Sequence, residues 1–279
     1  MKCSKHANHS GSRERTMGEL VVDTYRLAGI TVRVESLHEN VHELCRAYRC
    51  DGKPGPAQMP AREIVPDLVV RTSQADIDFE RGRSAATDAA AGRTARAPSD
   101  EYLETLAVYR QIAGAMPTWD TVLVHGSCVA VDGAAYLFCA PSGTGKSTHV
   151  RLWRELLGNR AIMVNDDKPL VRIEGGRAIA FGTPWNGKHR LSSDVAVPLR
   201  ALCLLERAEA NRIERVAPAQ AHPLVLQHVY RPLDPAALAL TLGLVDRLIE
   251  CVDLWQLGCN LDREAAELSF SAMSGGKYL

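Results

Sequence analysis

Polar and apolar positions alternate over residues 30–34 (I-T-V-R-V), the pattern of a half-buried strand, and a second short apolar run follows at 67–70. From residue 100 the period lengthens. Leu103, Leu106, Ala107, Tyr109, Ile112, Ala113 and Met116 recur at helical spacing, with Ser99 or Asp100 as N-cap and Pro117 as the stop. Residues 121–131 and 134–139 are apolar runs on either side of Asp132-Gly133, the dipeptide that favours a two-residue hairpin turn. Residues 148–157 then place Val150, Leu152, Trp153, Leu156 and Leu157 on one helical face. A second hairpin is expected where Gly175-Gly176 separates residues 170–173 from 178–181, and a strand at 201–205. Helices near Leu224 and over 235–250, a strand at 252–257 and a helix from about Asp262 complete the pattern.

Strands outnumber helices in the second part of the chain and come as hairpins rather than alternating with helices, which predicts a mixed, strand-rich α/β core. Three regions are expected: a flexible polar leader at 1–16, a small α+β accessory region at 17–98, and the core at 99–279. Residues 80–98 are rich in Ala, Arg, Gly, Ser and Thr, and they read as a mobile linker. Residues 52–60 (G-K-P-G-P-A-Q-M-P) read as a loop.

A hydrophobic fraction of 46% over 279 residues is ample for a core. Lys plus Arg and Asp plus Glu each total 33, so the net charge is zero and no general attraction to nucleic acid or to a membrane surface is expected. No apolar run approaches the length of a membrane span and no apolar stretch follows the basic start, so a cytoplasmic location is expected. The eight cysteines are scattered without Cys-x-x-Cys spacing and read as reduced core residues. Cys45 and Cys50, with His42 close by, are the nearest approach to a metal cluster, and no second cluster completes four ligands.

The chemistry concentrates between Ala140 and Thr148 (A-P-S-G-T-G-K-S-T). A polyphosphate must be wrapped by backbone N–H groups, which requires glycine where a side chain would block approach or where φ is positive, here Gly143 and Gly145. Ser142, Gly143, Thr144, Gly145, Lys146, Ser147 and Thr148 form the expected nucleotide-binding stretch, with Lys146 as the fixed cation and Ser147 as a magnesium ligand. A helix starting near Lys146 adds unpaired amides and a positive dipole end. The usual motif opens with glycine where this chain has Ala140. A tight strand-to-helix turn would explain the glycines without a ligand, but not the lysine.

The segment 182–190 (G-T-P-W-N-G-K-H-R) reads as a second loop, with Trp185 large for a plain turn and Lys188, His189 and Arg190 concentrating charge. Its sharper reading is a phosphate- or substrate-facing loop in which Lys188 neutralises charge on a transferred phosphoryl group. The plainer one is a solvated basic turn anchored by Trp185. Arg207 is an outlying candidate for a phosphate contact, and the R-I-E-R run at 212–215 reads mostly as solvated surface.

The strings A-P-S-G-T-G-K-S-T-H, N-D-D-K-P and G-T-P-W-N-G-K-H, with His125-Gly126 ahead of the hairpin, resemble the HPr kinase family and, more distantly, the ATP-dependent phosphoenolpyruvate carboxykinases. The resemblance covers roughly 100–273 and is greatest to short HPr-kinase-like proteins, some similar to serine kinases of ribosomally made peptides. It implies a strand-rich P-loop core of the HPr kinase and carboxykinase type. It also implies Asp166 as the general base, Asp167 as metal support beside Ser147, and His125 as a histidine lying against the acids and metal. The roles of the two acids compete, since neighbouring strand residues point to opposite faces unless the backbone bends. The downstream P-G-R-N-type segment of full HPr kinases has no counterpart here, and carboxykinases are much longer. The resulting expectation is an ATP- and Mg2+-dependent kinase acting on a hydroxyl of a peptide or a small molecule. A non-catalytic ATP-binding regulator is the alternative, and homo-oligomerisation is left open.

Overall fold

A computed structural model describes residues 20–50, 64–92 and 97–276. The expected leader at 1–16 and loop at 52–60 lie outside the described residues. The chain begins with an antiparallel hairpin, β1 (Val21–Leu27) and β2 (Ile30–Ser36), turning through Ala28 and Gly29, both at positive φ. After the short helix α1 (Asn40–Leu44), β3 (Leu68–Arg71) adds parallel to β2 to complete a three-stranded sheet. Two helices follow, α2 (Gln74–Ala90) and α3 (Asp100–Ala115). The buried apolar face of α3 (Val108, Ile112, Ala113) and Met116 pack with Tyr25, Leu27, Val32 and Val34 of the small sheet in one core.

Helix α2 corrects the reading of residues 80–98 as a linker, since the helix runs on to Ala90. The segment lacks large apolar side chains, but its Ala- and Arg-rich run has good helix propensity. A capping box between Ser73 and Asp76 starts it. Polar contacts with α3 then hold it: Arg110 donates to Glu80 at 2.6 Å and Asp76 at 3.1 Å, and its guanidinium lies 4.7 Å from the centre of the Phe79 ring. The helix's fully buried apolar side chain, Ile77, precedes residue 80, so a search of 80–98 for buried hydrophobes misses the helix.

The second sheet has nine strands. In chain order these are β4 (Thr121–Leu123), β5 (Ser127–Val131), β6 (Ala134–Cys139), β7 (Ala161–Asn165), β8 (Leu170–Glu174), β9 (Arg177–Phe181), β10 (Ala196–Arg207), β11 (Arg212–Arg215) and β12 (Asp253–Cys259). Helix α4 (Lys146–Leu157) lies between β6 and β7, α5 (Pro218–Leu226) and α6 (Pro235–Cys251) between β11 and β12, and α7 (Arg263–Ser274) at the end. The central path runs β4-β8-β9-β10-β6-β5-β7, with β12 on β10 and β11 on β12. The twelve-residue β10 makes this one sheet: its start pairs antiparallel with β9, and its later part runs parallel between β6 and β12.

Period two decides what covers each face. Ala135, Leu137 and Cys139 of β6 enter the core with Leu244, Val245 and Leu248 of α6. Tyr136 and Phe138 enter the opposite core with Val150 and Trp153 of α4 and Phe270 of α7. Helices thus cover both faces, and the strand-rich α/β expectation holds. Asp132 and Gly133 both take positive φ, 50° and 81°, and join β5 to β6 as the dipeptide predicts.

One further expectation changes, and the solvated-surface reading of 212–215 holds with a strand added. Residues 121–131 are not one strand: pairing breaks at 124–126, where Val124 N donates to the Pro169 carbonyl and Gly126 N to the Asp167 carbonyl. The R-I-E-R run forms β11, an edge strand with mostly exposed side chains, paired on one side only.

Candidate functional site

The loop after β6 takes the conformation its glycines demand, with φ of 80° at Gly143 and 123° at Gly145. Helix α4 begins at Lys146, so the amides of its first turn have no partner within the helix. Ala140, in the place of the usual glycine, fits because its backbone is not left-handed and its side chain is buried in the α4-side core. Its carbonyl accepts a 2.8 Å bond from the Lys146 ammonium, which lies across the loop and is 8% exposed. Burial pulls the Lys146 pKa down, against the pull of Asp167 and Asp166 nearby. Ser142 and Gly143 are exposed at the crest, and Thr144, Ser147 and Thr148 are half-buried. Arg207, at the end of β10, donates to the Gly143 carbonyl at 2.6 Å, so it braces the loop from behind.

Asp166 and Asp167 follow directly after β7, where the backbone has left the strand. That bend resolves the opposite-faces problem. Asn165, fully buried, makes the bend: its side-chain oxygen accepts from the amides of Asp167 (2.8 Å) and Lys168 (2.6 Å), while its Nδ2 donates to the carbonyl and hydroxyl of Thr183, each at 3.0 Å. Thr183 in turn donates to the Lys168 carbonyl at 2.8 Å. The N-D-D-K and G-T-P-W strings are therefore one hydrogen-bonded unit. Gly182 is required in it, since a Cβ there would lie 1.9 Å from the Ser193 carbonyl oxygen.

The two acids have different surroundings. Asp166 is 6% exposed and accepts a 2.7 Å bond from the Ser127 hydroxyl on its Oδ1. Asp167 has both oxygens engaged, Oδ1 at 3.3 Å from His125 Nε2 and Oδ2 against the Lys168 ammonium. Burial raises the Asp167 pKa, but His125 and Lys168 outweigh it and hold the carboxyl at about 2. His125 thus pairs with Asp167 and not with Asp166. It is held in the break between β4 and β5, where its amide donates to the His228 carbonyl at 2.7 Å. Gly126 lets that break sit tight on β6, because a Cβ would approach the Leu137 side chain to 2.7 Å and the Phe138 carbonyl to 2.9 Å.

The 182–192 loop is anchored rather than merely solvated. Trp185 is buried with its ring 5.4 Å from that of Tyr109, and Ser192 accepts from Asn186 at 2.8 Å and from Tyr48 at 3.3 Å. Lys188, His189 and Arg190 are exposed beyond that anchor. A cavity of about 320 Å3 separates this loop from α4, with Ser147, Thr148, Asp166 and Lys188 among its lining residues.

Three site residues escaped the sequence reading. Ser127 and Asn165 carry signals only in retrospect, next to His-Gly and Asp-Asp. His228 has none: it is buried beside His125 and Lys146, and burial, with electrostatic repulsion from those two neighbours behind it, lowers its pKa to about 4. In the other direction, His149 of the phosphate-loop string is a core residue, 2% exposed, edge-on to Phe138 and 3.0 Å from the Ser269 hydroxyl. His42 is also structural, bonded to Tyr25 and Ser36, and no group of three or more His, Cys, Asp or Glu suited to a metal occurs among the described residues. No described helix is long and apolar enough to cross a membrane.

No family model matches this chain, and no curated protein does. Among solved structures, the Hpr(Ser) kinase/phosphatase from Coxiella burnetii is similar over 55% of this chain and 99% of its own, at 10% identity and a TM-score of 0.33. A likeness that faint carries no argument about activity.

Proposed function

We propose that this chain is a magnesium- and ATP-dependent kinase that transfers the γ-phosphoryl group to a hydroxyl. What carries the reading is that the start of α4 (Ser147, Thr148) and the acid Asp166 face one cavity, with Lys188 on its far wall. The three strings resembling HPr kinases support it.

In this reading, the amides from Gly143 to Thr148 and the Lys146 ammonium cradle the phosphates. Lys146 leaves the Ala140 carbonyl for the phosphate oxygens, exchanging a neutral acceptor for a charged one. Ser147 and Asp167 would hold the magnesium ion. They fit it, because both present oxygen and Asp167 is ionised far below neutral pH, while phosphate and water oxygens fill the remaining positions. The ion's chemistry when bound is to neutralise charge on the β- and γ-phosphates.

Asp166 takes the acceptor proton on its Oδ2, since Ser127 occupies Oδ1. The acceptor oxygen then bonds to the γ-phosphorus as the bond to the β–γ bridging oxygen breaks, and ADP leaves with that electron pair. Lys188 meets the charge on the transferred group from the opposite wall. His125 orients Asp167.

The test is phosphoryl transfer from labelled ATP by wild type, Lys146→Ala and Asp166→Asn, with nucleotide binding measured in parallel. A kinase loses binding in the first variant and transfer in both. A regulator that only senses ATP binds it and transfers nothing in any of the three, which would overturn the reading.

A further inference from the structure

The same cavity extends away from the phosphate loop, along the flank of α4. Beyond Ser147 and Thr148 its wall is made by Arg151 and Arg154, and the facing wall by Lys188 and His189. Asp166 is the one acid of the lining. Arg151 is tied to Glu155 at 2.8 Å, whereas Arg154, half-buried, has no carboxylate partner among the described residues. A guanidinium turned into a recess without a counter-ion is suited to a bidentate anion.

The donor triphosphate is not that anion. Arg154 lies seven residues along α4 from Ser147, roughly 10 Å at the helical rise, beyond reach of phosphates held on the loop amides. Neither Lys146 nor Arg207 lines the cavity, and with Lys188 assigned to the transferred group, Arg151 and Arg154 are the guanidinium groups left for a second anion. At about 320 Å3 the recess matches the small end of ligand pockets and suits a compact molecule better than a folded surface.

Resting on the kinase reading above, we infer that the acceptor is a small hydroxylated anion. Its hydroxyl faces Asp166, and its carboxylate or phosphate is bound by Arg154, with His189 and Arg151 around it. The basic end selects the substrate and the acidic end activates it.

The test compares acceptors of similar size with the full chain and Mg-ATP: glycerol, L-serine, glycerate and glycerol 3-phosphate, together with a short peptide carrying an acidic residue beside serine. The expected result is a kcat/KM at least tenfold higher for the small anions than for glycerol. The preference between the two anions, glycerate and glycerol 3-phosphate, identifies carboxylate or phosphate as the bound group, while L-serine, a zwitterion, reports whether an ammonium beside the carboxylate is tolerated. Arg154→Gln should raise KM for the preferred anion about tenfold, with KM for ATP unchanged and the anion-to-glycerol ratio collapsed. Calorimetric titration of the same anions without ATP should show the same Arg154 dependence.

Equal use of glycerol and the anions, an unchanged ratio in Arg154→Gln, or a tenfold preference for the peptide would each overturn the inference while leaving the kinase reading intact. Arg154-dependent anion binding with no phosphoryl transfer to any acceptor would uphold the anion site and remove the kinase reading.

Discussion

Glu104 and Asp166 are both buried carboxylates, and the difference between them separates a part of this molecule that holds it together from the part we propose to act. Glu104 on α3 is fully buried and saturated: it accepts from the amides of Leu37 (2.7 Å) and His38 (2.8 Å) and from the Thr72 hydroxyl (2.5 Å). It fastens the small N-terminal sheet to the helix beneath it and is not among the residues lining the cavity beside the glycine-rich loop. Asp166 is nearly as buried, yet Ser127 is its one side-chain donor among the described residues, bonded to Oδ1, and the residue lines the cavity beside the glycine-rich loop. Burial alone therefore does not mark function here. What distinguishes Asp166 from Glu104 is a carboxylate with fewer side-chain donors beside an open space, which is where a functional acid is sought.

The comparison breaks first on Asp166→Asn. The amide keeps the shape and the contact with Ser127 but cannot take a proton, so turnover should fall by about 10³-fold, on the order of 4 kcal/mol. The melting temperature should stay within a few degrees, measured by labelled-phosphate transfer and calorimetry on one preparation. Equal losses of stability and turnover would place Asp166 in the same class as Glu104.

Glu104→Ala should do the reverse. Two amides and a hydroxyl lose their acceptor inside the structure, and stability should fall by about 3 kcal/mol in denaturant titration. Turnover per folded molecule should be unchanged. A specific activity that drops at low temperature, where the variant is folded, would join the two regions functionally.

A third test uses pH to probe the α4-side core. Burial lowers the His149 pKa from its ordinary 6.5 to about 4. The folded state thus binds fewer protons than the unfolded chain between those values. Its stability contribution is complete above pH 6.5 and is lost as pH falls toward 4, a change approaching about 3 kcal/mol. His149→Phe should make that limb shallower, with His228 contributing over the same window, and an unchanged limb would remove His149 from the account.

The smallest effect is expected at Ser127→Ala. Removing the hydroxyl leaves Asp166 less fixed, and kcat should fall about tenfold, about 1.4 kcal/mol, with KM for ATP unchanged. A loss as large as that of Asp166→Asn would make the hydroxyl part of the proton transfer itself.

Much of the core was legible because its signals are local. Asp132-Gly133 set a hairpin, the spacing of Val150, Trp153 and Leu157 set a helix face, and Gly143 and Gly145 set the loop before Lys146. The helix over 74–90 was not legible, because it docks through Arg110, Glu80 and Phe79 from two helices, and no window of sequence holds both halves of those contacts. The site was half legible. Lys146, Ser147, Asp166, Asp167, His125 and Lys188 could be named, but not their pairing, and Ser127, Asn165 and His228 act only through neighbours distant in the chain.

By itself, then, the sequence determined the glycine-rich loop before Lys146, the hairpins and the alternating faces of the strands, since φ preferences and side-chain periodicity operate over a few residues. Tertiary structure alone decided that Asn165 bends the chain so that both acids leave the strand together. It also decided that His125 meets Asp167 rather than Asp166, and that a row of arginines on α4 faces the same cavity as the acid. Those outcomes depend on which strand ends meet and which polar atoms remain without partners after packing, and only the folded chain sets these.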